Sequence, residues 1–97
     1  MPKVRLTRAA RAYLAAIDRY TRDTHGTAAA DRYTRGFLSA FALLDLHPEA
    51  DPMQPMILPD VRCLVHRRHR IFYRVQGNEV LIIRVLHHAR DTRVLLS

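Results

Sequence analysis

From Val61 to His87 the chain reads VRCLVHRRHRIFYRVQGNEVLIIRVLH, and the fold turns on whether this stretch is extended or helical. Apolar residues recur at a spacing near two in VRCLVH, RIFYRV and VLIIRVLH, which is the period of strands with alternate side chains on opposite faces. His66 to His69 supplies a polar connection between the first pair. QGNE supplies the second turn, where Gly77 and Asn78 both tolerate positive backbone dihedrals. The stretch therefore predicts a three-strand antiparallel meander whose apolar face needs a cover.

That cover lies upstream. Ala10, Tyr13, Leu14, Ile17, Tyr20 and Thr21 recur at helical spacing, with Arg11, Arg19 and Arg22 on the opposite side. Tyr33, Phe37, Ala40, Phe41 and Leu44 form a second stripe, with Asp31, Arg32 and Arg35 off it. Gly26 ends the first helix or starts the turn, Thr7 can cap the first helix, and Thr27 can cap the second. Before them, MPKVRLT is compatible with a short strand in which Val4 and Leu6 share a face. HPEADPMQPMILP, with four prolines in thirteen residues, reads as loop. The expected fold is α+β in the order β-α-α-β-β-β, a helical hairpin packed on a mainly antiparallel sheet. After Arg90, RVLLS reads as a fraying tail or a short edge strand.

The 97 residues suffice for a single domain, 1–97, with a modest core. The formal charge is +7, and Lys3 is the only lysine among sixteen basic residues. From Val61 to Ser97 eight arginines face only Glu79 and Asp91, a surplus that attracts an acidic protein or a nucleic acid. The lone Cys63 rules out an internal disulfide and, without a secretory leader, fits a reducing cytoplasm. LLDLHP and VLIIRVL are too short or interrupted to span a bilayer, so no membrane role is expected. The apolar content of 48% leaves room for a groove that takes an amphipathic partner helix.

Chemistry by the side chains is weakly signalled. Adjacent His87 and His88 point to opposite faces of an extended chain, and no CxxC or HExxH spacing is present, so no metal site and no cofactor is expected. Cys63, at an apolar alternation position, reads as a buried small hydrophobe, and Tyr73 as a half-buried residue with its hydroxyl bonded. His87 with Asp91 is the candidate histidine-carboxylate pair for acid-base work, although a strand end followed by a turn often brings such groups together. Arg84, among Ile82, Ile83, Val85 and Leu86, must lie on the exposed sheet face or meet a partner, because an unpaired buried guanidinium is prohibitive.

RAARAYLAAIDRYTRDTHGTAAADRY, LLDLHPEAD, LPDVRCLVHRRHRIFYRV and especially IIRVLHHARD resemble the RelE/ParE superfamily of small bacterial toxins from type II toxin-antitoxin systems, over essentially the whole chain. The likeness is to the ParE-like branch, through Arg70-Ile71-Phe72-Tyr73-Arg74-Val75 and Arg84-Val85-Leu86-His87 with Arg90-Asp91. It implies a growth-inhibiting toxin that traps cleaved DNA on DNA gyrase by contact. It also implies a cognate ParD-like antitoxin whose acidic C-terminal segment folds over the toxin, with DNA met only through such complexes. The expected contact residues are Arg62, Arg70, Tyr73, Arg74, Arg84, His87, Arg90 and Asp91, with Arg84, His87, Arg90 and Asp91 clustered at the strand end and Arg70 and Tyr73 beside them. The RelE branch, which cleaves messenger RNA on the ribosome, remains the alternative. It would draw on Arg70, Arg84, His87, His88 and Arg90, although its strand lysines and late tyrosine are missing here. A diverged, non-toxic binding relative is the third reading.

Overall fold

The computed structural model describes residues 3–55 and 58–87. Its elements are β1 (Lys3–Leu6), α1 (Arg8–His25), α2 (Thr27–Leu46), β2 (Arg62–His66), β3 (His69–Gln76) and β4 (Glu79–His87), the α+β order expected from the periodicities. The strands form one sheet in the order β1-β4-β3-β2, in which β2, β3 and β4 make the antiparallel meander. β1 joins β4 in parallel, Val4 opposite Val80 and Leu6 opposite Ile82. The reading of RVLLS as tail or edge strand concerns residues outside those described.

The helices cover one face because their apolar stripes match what that face offers. Phe37, Ala40, Phe41 and Leu44 from α2 and Ala10 from α1 share a core with Ile71, Tyr73, Val80, Ile82 and Val85. A second, smaller core on the opposite face joins Cys63, Phe72 and Leu86 to Val61, with Leu58 and Ile83 packed against it. The loop before β2 thus covers part of the face that the helices leave open.

Gly26 does double duty at φ +91°, a value that L side chains rarely adopt. Its N–H donates to the Arg22 carbonyl to close α1, and its own carbonyl accepts from the Ala30 N–H to open α2. Thr27 is the first residue of α2 rather than its cap, and no side chain caps that helix. Arg22 fastens the hairpin by donating to Asp18 at 3.1 Å within α1 and to Asp31 of α2 at 3.2 Å.

The connection between β2 and β3 is shorter than the sequence implied. His66 and His69 are strand residues paired with each other, leaving Arg67 and Arg68 as the turn, with Arg67 at φ +55°. His69 is buried because its pairing position faces the helices.

Candidate functional site

The decisive local event is a bulge in β4. Phe72 of β3 pairs with Arg84, but the next residue, Tyr73, pairs with Ile82, so Ile83 has no partner on β3. Regular alternation would send Val80, Ile82 and Arg84 to the same face, under the helices. The extra residue shifts the phase, leaving Val80 and Ile82 buried on one side of the bulge and Val85 buried on the other, while Arg84 joins Phe72 on the open face. Thr7 anchors the irregularity. Its hydroxyl donates to the unpaired Ile83 carbonyl at 2.6 Å and accepts the Ala10 N–H at 3.1 Å, so one side chain caps α1 and fixes the bulge.

On the open face the register places Arg70 opposite Leu86, Arg84 opposite Phe72 and Arg74 opposite Leu81. Three half-buried guanidinium side chains therefore surround Phe72. Arg74 donates to the Pro59 carbonyl at 3.3 Å. Arg70 and Arg84 have no hydrogen bond or ion pair among the described residues. Arg70 also lies close enough to Cys63 to favour its thiolate, but burial outweighs this and pushes the thiol up, so Cys63 is a poor nucleophile.

The other expected contact residues among those described lie elsewhere, and Arg84 and His87 do not share a face. Tyr73 faces the helices, wholly buried, and its hydroxyl donates to Asp51 Oδ2 at 3.0 Å. Burial first and that hydrogen bond second hold its phenol well above the usual value. Arg62, paired with Tyr73, donates to the carbonyls of Asp51 at 2.7 Å and Glu49 at 3.1 Å. These two residues clip the loop after α2 to the sheet. His87 pairs with His69 on the helical side, the rings 5.8 Å apart, and not on the face of Arg84. His88, Arg90 and Asp91 lie outside the described residues, and with them the proposed pairing of His87 with Asp91.

Two features escaped the sequence reading. The first is a cleft of about 730 Å³ between the hairpin and the β2–β3 turn, where Tyr33 hydrogen-bonds His69 Nδ1 at 3.2 Å. Tyr13 and Tyr20, seven residues apart on α1, are the sequence signal for its helical wall. The second is the apolar outer surface of α2, where Leu38, Leu43 and Leu46 are each more than half exposed. Among the described residues no three of His, Cys, Asp and Glu converge as metal ligands, and no helix is long and apolar enough to cross a membrane.

Comparison with known proteins agrees with this architecture. A family model described as "ParE toxin of type II toxin-antitoxin system, parDE" matches residues 4–92. A solved structure of the chromosomal ParDE TA system from P. aeruginosa is similar, with a TM-score of 0.76 and 25% identity, over 90% of this chain and 96% of that one. No curated protein matches. Because the family match runs from β1 past the end of β4 and the similar structure shares the fold, the chain belongs to the ParE toxin family of type II toxin-antitoxin systems.

Proposed function

We propose that this toxin poisons DNA gyrase by contact, trapping the cleaved DNA intermediate, and that a ParD-like antitoxin with an acidic C-terminal segment neutralises it. One observation carries this reading: Arg70, Arg74 and Arg84 surround Phe72 on one face, two of them unpaired among the described residues. Half-buried guanidinium groups lose part of their hydration, and a carboxylate from another molecule restores it through charge-assisted hydrogen bonds. The exposed leucines of α2 suit the apolar side of a partner helix. DNA is engaged only through these complexes.

The ribonuclease reading needs an acid and a base beside the arginines. His87 faces the helical side and Tyr73 is buried on Asp51, which favours contact over cleavage.

Purified gyrase decides between them. Linear DNA accumulating only when gyrase and the toxin are both present supports poisoning. Ribosome-dependent cutting of messenger RNA without any effect on gyrase would replace this reading with the RelE-like one. Neither activity, with no growth arrest on expression, would leave a non-toxic binding protein.

A further inference from the structure

The outward face of α1 carries charge that neither the core nor the arginines of the open sheet face account for. Arg8, Arg11 and Arg19 are exposed, and at 3.6 residues per turn they fall within about 80° of one another around the helix. None of the three has a hydrogen bond or ion pair among the described residues. Arg22, on the same side of α1, differs because Asp18 and Asp31 hold it. Asp23 is the one exposed acidic residue of α1, and it stands about 18 Å along the axis from Arg11. Arg8 and Arg11 lie in the first turn, which has no acidic residue and where the helix dipole disfavours cations. Their placement therefore works against the stability of α1 rather than for it.

What lies between the arginines narrows the partner. The exposed residues there are Ala12 and Ala15, with no aromatic ring and no large aliphatic side chain. A protein interface takes a bulky anchor at its centre, and a single-stranded nucleic acid takes rings on which its bases stack. This face supplies neither. Duplex DNA asks only for cations that reach its phosphates, and small residues let the helix come close to them. Arg11 and Arg19 are about 12 Å apart along the axis, comparable with the roughly 12 Å width of the major groove, so α1 laid across that groove reaches phosphates on both lips. We infer that the arginine face of α1 is a contact surface for the phosphate backbone of duplex DNA, independent of base sequence. Three such contacts hold DNA weakly, so the face acts where a complex already presents the duplex. That role rests on the function proposed above, whereas the binding itself does not.

Fluorescence anisotropy of a short labelled duplex titrated with the full chain, between about 50 and about 200 mM salt, tests the face. Affinity should fall as salt rises, and duplexes of unrelated sequence should bind alike. Combining Arg8→Gln, Arg11→Gln and Arg19→Gln should flatten the plot of log affinity against log salt by about 2.7, or about 0.9 for each arginine. Lys3→Gln removes one charge at the β1 edge, beside the end of α2, and should leave the slope unchanged. Thermal midpoints show that the variants are folded. The inference is overturned if the triple variant keeps the native slope, or if Lys3→Gln changes it as much as any one of the three arginine substitutions. It is overturned equally if a single strand of the same length, or a glutamate-rich peptide, binds through the same arginines more tightly than the duplex. Gyrase takes no part in this titration, so duplex binding and gyrase poisoning can each fail without the other.

Discussion

Tyr73 and Arg84 are near neighbours across adjacent strands, yet they do opposite things. The tyrosine hydroxyl is spent inside the protein on Asp51, whereas the guanidinium stands on the open face. Tyr73→Phe should therefore cost about 1–2 kcal/mol of unfolding free energy and leave toxicity intact, measured by urea denaturation and growth arrest. His66 offers a test of pH dependence. Its Nε2 is buried without a hydrogen-bond partner, and a Cβ at Gly36 would stand 3.3 Å from it, so the ring is seated against α2. Burial, then the Arg67 charge, lowers its folded-state pKa below 6.5. The unfolded chain then binds the proton more readily, so stability is full above the unfolded value and declines as pH falls toward the folded one. Going from about pH 7.5 to about pH 5.5 should lower the thermal midpoint more in the native protein than in His66→Leu, which cannot titrate. Equal slopes would show that other groups govern the acid side.

At the scale of elements, Thr7 is the joint between β1, α1 and the bulge of β4. Removing its hydroxyl leaves the Ala10 N–H uncapped and the Ile83 carbonyl without its donor. Thr7→Ala should destabilise by about 2 kcal/mol, near the upper end for a lost helix cap, while Thr7→Ser should recover most of it. Chemical denaturation of the two variants checks this, and an equal loss in both would assign the effect to the methyl group. The cap itself was legible in sequence, since a threonine preceded an amphipathic run. The bulge was not. VLIIRVL shows only that an arginine interrupts apolar residues, and pairing with β3 selects Ile83 as the residue left over. His66 and His69 misled for a related reason. Polar residues between two strands resemble a loop until the pairing register shows that only Arg67 and Arg68 turn.

For the whole molecule, the open-face arginines should matter to toxicity and not to folding. Arg70→Glu with Arg84→Glu should abolish growth arrest and gyrase-dependent cleavage while keeping the thermal midpoint within a few degrees, since neither residue holds an internal partner among those described. Retained toxicity in the folded double variant would remove this face from the interaction. Truncation at the end of β4 is the corresponding test for the residues that follow it. Because His87 pairs with His69, ending the chain after His87 separates the role of residues 88–97 from loss of a strand residue.

The sequence by itself determined the element order, the two helical stripes and the meander, because periods of 3.6 and two are local properties of chain geometry. It also carried the family likeness. Only the tertiary structure decided which basic groups stand together. A side chain's face depends on register, and one bulged residue reverses that assignment for everything beyond it. Hence Arg70, Arg74 and Arg84 share a surface, while Arg62, Tyr73 and His87, equally prominent in the sequence, turn toward the helices.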